Sequence, residues 1–159
     1  MDFEAELDKC REYGEIFSLL KRAVKKSLGE HRVGLMLFLG DLPLKVGAFH
    51  FLGTNDIILN RRLLNKVVKE KSPSEQKAFL FSILMHEYLH SLGYVDEREV
   101  RGLVYQICAD NFGRKHYVTD AAITGPWASL SEEDFQELGE SLNLEMVKDF
   151  ERTESRYII

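Results

Sequence analysis

The stretch that decides the fold is SPSEQKAFLFSILMHEYLHSLGYVDE, which occupies residues 72–97. It opens with a strong helix start: Ser72 can cap the helix, Pro73 suits the first helical position, and Glu75 completes a capping box. A run rich in apolar residues follows and reaches Gly93, a residue type that readily adopts the reversed backbone at a helix end. The pattern predicts one long helix that stops just before this glycine.

Two histidines of this helix can bind one metal ion. His86 and His90 are four residues apart, so they share one helical face, and Glu87 lies at its rim, where it can accept a proton from metal-bound water. The HExxH pattern alone arises in about one or two of every hundred shufflings of such a composition. Requiring Gly93 and Asp96 as well lowers that chance to below about one in ten thousand. The extended pattern HExxHxxGxxD therefore indicates a metal site.

This extended pattern resembles that of the zincin metallopeptidases, and among them the metzincin branch in its variant with Asp as the third ligand. The resemblance implies Zn²⁺ as cofactor, held by His86, His90 and Asp96, with Glu87 as general base. It also implies hydrolysis of peptide bonds by metal-activated water, and hence a peptide or protein substrate. The specific match covers residues 86–96 only.

The identity of the third ligand stays open at this stage. Asp96 can also cap the following helix, because Glu99 would close a capping box with it. In that case Glu97 or Glu99 would be the ligand, an arrangement similar to the gluzincins, and His116 is a further candidate. The metzincins also carry a Met-containing turn, whereas Met146 here falls within a predicted helix.

The remaining periodicity predicts an α+β fold around this helix. We expect it to be zincin-like, with a small mixed β-sheet packed against the HExxH helix and flanking helices, in a single metallopeptidase-like domain over residues 1–159. Other helices are expected at residues 2–28, 61–71, 96–112 and 132–151. Strands are expected at residues 32–39, 46–52 and 57–59, and irregular structure at residues 113–127. Histidines in or beside strands, such as His50, are interpreted as structural.

Composition limits the setting in which the protein works. The chain has 159 residues, of which 45% are hydrophobic and 30% charged, as in ordinary globular domains. No apolar run reaches the roughly 18 residues that span a membrane, and the acidic start is unlike a secretory signal. Cys10 and Cys108 occupy apolar helical positions, which favours buried thiols in a reducing compartment. We therefore expect a cytoplasmic protein with no membrane partner.

Two other functions stay open. A metal-dependent endoribonuclease of the rRNA-maturation type has a similar HxxxHxxGxxH spacing, from which Glu87 and Asp96 depart. The net charge of −5 also argues against nucleic acid as a partner, although one predicted helix is basic. Its basic residues are Arg61, Arg62, Lys66, Lys69 and Lys71. The other alternative is a latent or non-catalytic zinc-binding protein, in which residues 156–159 fill a groove. Two histidines and a carboxylate also suit other divalent ions, such as iron.

Overall fold

A four-stranded mixed sheet and seven α-helices form an α+β fold in the computed structural model, which describes residues 1–125 and 132–151. The helices are α1 (Phe3–Lys9), α2 (Tyr13–Leu28), α3 (Arg61–Glu70), α4 (Pro73–Ser91), α5 (Glu97–Phe112), α6 (Tyr117–Thr124) and α7 (Glu132–Leu138). The strands are β1 (Met36–Gly40), β2 (Ala48–His50), β3 (Asp56–Asn60) and β4 (Glu145–Met146). One 3₁₀ turn covers Gly139–Leu142.

The sheet has the strand order β2-β3-β1-β4. Strands β1 and β3 are parallel, with Leu37 opposite Ile57, whereas the outer strands β2 and β4 are antiparallel to their neighbours. Strand β2 lies at one edge and packs against α4. The edge strand and the helix that carries both histidines are therefore neighbours.

Helix α4 lies at the centre of the main hydrophobic core. Its residues Phe81, Leu84, Met85 and Leu89 are fully buried in one cluster with residues of α1, α2, α5 and α6. It contacts α2, α5 and α6 along its length. Because close packing on several sides fixes the helix, the backbone positions of His86 and His90 are also fixed.

The buried Asn60 organises the approach to the edge strand. Its Oδ1 accepts hydrogen bonds from the Arg62 backbone N, at 3.1 Å, and from the Leu42 N, at 3.2 Å. Its Nδ2 donates to the carbonyls of Pro43 and Val46, at 2.9 and 2.7 Å. Asn60 is thus the N-cap of α3, and the same side chain ties the β1–β2 connection to this helix start.

The predicted start and end of α4 are confirmed. Ser72 and Glu75 form the capping box, and Pro73 is the first helical residue. The Gly93 N donates to the carbonyl of His90 at 3.0 Å, with a φ of +108° that returns the chain toward the helix. Helix α5 begins at Glu97, one residue after its Asp96 cap.

The prediction of one continuous helix over residues 2–28 is wrong. Helix α1 ends at Cys10, whose backbone is extended. A second helix, α2, then begins with a capping box formed by Glu12 and Glu15. The Glu15 carboxylate accepts from the backbone N of both Arg11 and Glu12, at 2.9 and 3.1 Å. These local hydrogen bonds outweigh the continuous apolar stripe on which the prediction rested.

The C-terminal third also differs from expectation. Residues 117–124, expected to be irregular, form α6, for which His116 is the cap. The helix expected over residues 132–151 ends at Leu138, and Met146 lies instead in β4, paired with Phe38 of β1. The long-range pairing with β1 replaces the local helix. The tail at residues 156–159 lies outside the described residues.

The predicted burial of both cysteines is confirmed. Cys10 and Cys108 are free and buried. Burial raises the pKa of the Cys10 thiol to about 11 and that of Cys108 further still, so both are poor nucleophiles. Within residues 1–125 and 132–151, no helix combines the length and the apolar character needed to cross a membrane.

The turn at Gly93 gives a first prediction. Substituting Gly93→Ala should lower the free energy of unfolding by about 1–3 kcal/mol, because alanine is strained at this φ although a Cβ would meet nothing within 4 Å. Chemical denaturation measures the change. The matched control is Gly102→Ala in α5, where a Cβ also has open space and no positive φ occurs. That control should gain about 0.5–1 kcal/mol, and a similar loss in both variants would contradict the role of the turn.

Candidate metal centre

Helix α4 presents the two histidines as a pair. The ring centroids of His86 and His90 are 5.0 Å apart, with the planes inclined at 66°. Glu97, from the first turn of α5, lies between them: its Oε2 is 3.0 Å from Nε2 of His86, and its Oε1 is 2.6 Å from Nε2 of His90. Ligand atoms of these three residues all lie within 4.8 Å of one another. We call this group the His–Glu cluster.

A short connection between α4 and α5 brings Glu97 into the cluster. After Gly93 reverses the chain, the Tyr94 N donates back to the carbonyl of Leu89 at 3.2 Å. The Asp96 Oδ1 then accepts from the backbone N of Arg98, at 2.8 Å, and of Glu99, at 3.1 Å. The cap fixes where α5 begins, and the next residue, the first of the helix, faces the histidines.

The structure places the sequence candidates differently. It brings His86 and His90 together with Glu97, which is the alternative ligand, whereas the carboxylate of Asp96 caps α5. Glu99 is exposed on the outer side of α5. His116 caps α6 by accepting from the Val118 N at 3.1 Å. A ligand set with Asp96 stays a prediction, and the observed convergence favours Glu97.

His90 is held through both of its ring nitrogens. Its Nδ1 lies 2.7 Å from the carbonyl oxygen of Tyr94, so this nitrogen carries a hydrogen and Nε2 faces the cluster. Burial opposes the charged imidazole, but the hydrogen bonds with Glu97 and the Tyr94 carbonyl, together with the charges of Glu87 and Glu97, outweigh it and raise the pKa of His90. Hydrogen bonds from His86 and His90 hold the pKa of Glu97 far below its usual range. Metal-binding histidines commonly donate their second nitrogen to a carbonyl in this way.

Glu87 lies next to this cluster in a different environment. Its side chain is almost fully buried, and burial raises its pKa to about 6 against the opposing effect of the two histidines. A carboxyl with a pKa near neutrality can both take up and release a proton at ordinary pH. The site thus combines three ligand-type groups with one group suited to proton transfer.

A third imidazole lies nearby on the edge strand. His50 shares a face of β2 with Ala48, which packs on the main core, and its Nδ1 donates to the carbonyl of Asp56 at 2.9 Å. Its Nε2 is buried with no hydrogen-bond partner among the described residues. Burial lowers the pKa of His50, with contributions from the charges of Arg32 and His90. Its sequence pattern is that of a strand residue, so only the packing of β2 on α4 reveals this proximity.

Comparisons with known proteins give no information about this site. No family model matches the chain, and neither the curated proteins nor the solved structures provide a match. The chemistry is therefore inferred from the distances, burial and charges of the residues named above.

The ion pair at the centre of the cluster gives a second prediction. In metal-stripped protein, NMR titration should place the pKa of His90 above its ordinary value of 6.5, and Glu97→Gln should lower it because the neighbouring anion is removed. Glu99→Gln removes the same charge from the outer side of α5 and is the matched control. Equal shifts in the two variants would contradict the specific pairing of His90 with Glu97.

The same pair links stability to pH. Because the pKa of His90 is raised in the folded state, its stabilising contribution is complete below pH 6.5 and is lost as the pH rises through the folded value. Glu97 has a depressed pKa, so its contribution is present above pH 4.5 and is lost as the pH falls further. Without metal, the difference in unfolding free energy between wild type and Glu97→Gln should therefore shrink above neutrality.

Proposed function

We propose that the protein is a zinc-dependent metallopeptidase, with His86, His90 and Glu97 as ligands and Glu87 as general base. The observation that carries the proposal is the convergence of two imidazole nitrogens and one carboxylate beside a buried carboxyl. Two histidines and a carboxylate are a common ligand set of catalytic zinc, and three protein ligands leave a position open for water. The donor types fit the ion, and their ligand atoms lie within 4.8 Å of one another.

Glu87 and His90 would have different roles in the proposed reaction. A bound Zn²⁺ would lower the pKa of water to near neutrality and polarise the scissile carbonyl. Glu87 takes the proton from the attacking water and passes it to the leaving amine. His90 keeps its orientation through the Tyr94 carbonyl, which leaves Nε2 directed into the cluster.

The edge strand is the proposed docking site for the substrate. Strand β2 ends one side of the sheet and packs against α4, so a peptide added alongside it would run close to the His–Glu cluster. Backbone hydrogen bonds would hold such a peptide extended. The order of β3, α3 and then α4 also agrees with the zincin-like architecture expected from the sequence, which forms part of this proposal.

A role in RNA cleavage receives less support from the charges. Arg61 is one of the basic residues of α3. Its Nε lies 3.2 Å from Asp41 Oδ1, and its Nη1 lies 3.4 Å from Glu145 Oε1. Its guanidinium also donates to the carbonyl of Asn143. These contacts neutralise part of the basic helix, and the buried Glu87 has a clearer use in peptide hydrolysis.

Zinc binding gives the third prediction and distinguishes the two possible third ligands. After metal removal, wild-type protein should take up one Zn²⁺ per chain in a competition assay with a chromophoric chelator. Glu97→Gln should weaken binding by more than about a hundredfold, because a ligand is lost. Asp96→Asn should retain binding, since asparagine also caps a helix while its carboxylate is gone.

The reverse pattern would show that Asp96 is the ligand, in agreement with the metzincin-like reading of the motif. Removal of an imidazole in His86→Ala or His90→Ala should abolish tight binding in either case. Wild-type protein that takes up no zinc would overturn the proposed function.

Peptide cleavage gives the fourth prediction. With a mixed peptide library and mass-spectrometric detection, Glu87→Gln should keep its zinc and lose about 10²–10⁴-fold in cleavage rate, the usual contribution of a general base. Glu70→Gln, at the exposed end of α3, is the matched control and should cleave as the wild type does. Unchanged cleavage in Glu87→Gln would remove this residue from the mechanism. Zinc binding without any cleavage by the wild type would identify a non-catalytic zinc protein.

A further inference from the structure

Arg32, in the connection between α2 and β1, forms hydrogen bonds with the end of α4, the helix that carries the histidines. The backbone N of Arg32 donates to the Tyr88 hydroxyl oxygen at 2.9 Å, and its Nη1 donates to the Ser91 carbonyl at 2.5 Å. The last carbonyls of a helix have no partner within it, and a cation at this end suits the helix dipole. Arg32 therefore fixes the final turn of α4, which contains His90.

The same guanidinium reaches a second element. Its Nη2 donates to the Thr54 carbonyl at 3.1 Å and to Asn55 Oδ1 at 2.6 Å, both in the turn between β2 and β3. One planar guanidinium thus joins the end of α4 to the turn between β2 and β3. A lysine ammonium is a single point charge and cannot reproduce this geometry.

Glu30, two residues earlier, holds the connection between α4 and α5. Its carboxylate accepts a hydrogen bond from the Tyr94 hydroxyl. The backbone carbonyl of Tyr94 is the group that orients His90, at 2.7 Å from Nδ1. The connection that contains Tyr94 also delivers Glu97 to the cluster. Glu30 therefore fixes the side chain of Tyr94. The backbone carbonyl of Tyr94 in turn orients His90, and the same connection leads to Glu97.

We propose that Glu30 and Arg32 are positioning residues of the metal centre. Arg32 fixes the end of α4, and Glu30 acts through the Tyr94 hydroxyl on the carbonyl that orients His90. This inference rests on the proposed zinc site and adds the outer groups that set its affinity. Outer groups around metal ligands typically change affinity by about 10–100-fold when removed.

The hydrophobic core makes this role separable from general stability. Val100 and Val104 of α5 are fully buried in the same cluster as Met85 and Leu89 of α4, so the two helices stay packed without the surface contact. Glu30 and Tyr94 are only partly buried. Loss of their hydrogen bond should loosen the connection more than it loosens the fold.

The test measures Zn²⁺ affinity in the full chain by chelator competition. Glu30→Ala and Tyr94→Phe should each weaken binding by about tenfold, and the double variant should bind no more weakly than either single variant, because both remove one interaction. Glu30→Gln should bind nearly as the wild type does, since its amide oxygen still accepts from the hydroxyl. Arg32→Lys keeps the charge without the planar guanidinium and should also bind more weakly. Tyr117→Phe, at an exposed tyrosine of α6, is the matched control.

Two further measurements separate positioning from structure. The thermal midpoint of the metal-free variants should stay close to that of the wild type, whereas the NMR signature of the His90 Nδ1–H should change in Tyr94→Phe. Zinc binding equal to wild type in Glu30→Ala and Tyr94→Phe would overturn the inference alone. So would affinity losses that merely follow the metal-free midpoint, with no rescue by Glu30→Gln. Failure of the wild type to bind Zn²⁺ would instead overturn the proposed function beneath it.

Discussion

The carboxylate of Glu97, shared between two imidazoles one helical turn apart, is the contact on which the site depends. It joins α5 to the C-terminal end of α4 through hydrogen bonds of 3.0 and 2.6 Å. Reaching this position requires the chain to reverse within a few residues, which the positive φ of Gly93 permits and the Asp96 cap completes. The turn, the cap and the ligand set therefore form one local constraint, while the buried core of α4 keeps both histidines in place.

The residues of α4 could be predicted from sequence because their signals are local. A capping box, a proline and a glycine lie within a few residues of the boundaries they determine, so no distant contact is needed to interpret them. The choice between Asp96 and Glu97 is different. Adjacent positions at a helix start point in directions about 100° apart. Only the observed cap shows that the first carboxylate bonds the backbone while the second faces the histidines.

Other features depend on contacts that a linear pattern does not contain. Met146 has the spacing of a helix, but its backbone pairs with Phe38, over a hundred residues earlier in the chain. The break at Cys10 is a local exception: hydrogen bonds of Glu15 to its near neighbours cause it, but the apolar stripe alone does not indicate it. The Arg32 contacts join a loop, a helix end and a turn. Long-range packing thus determines both the C-terminal third and the outer groups of the site.

Charge balance links the cluster to the proposed chemistry. Without metal, hydrogen bonds from the two histidines stabilise the negative charge of Glu97, while burial raises the pKa of the neighbouring Glu87, with a smaller increase from the charge of Glu97. A divalent cation among the same three groups would reverse the local field. A nearby positive charge lowers the pKa of a carboxyl, so Glu87, whose pKa is about 6 without metal, would be more completely ionised at neutral pH and able to accept a proton. The ion that activates water would thereby also prepare the base.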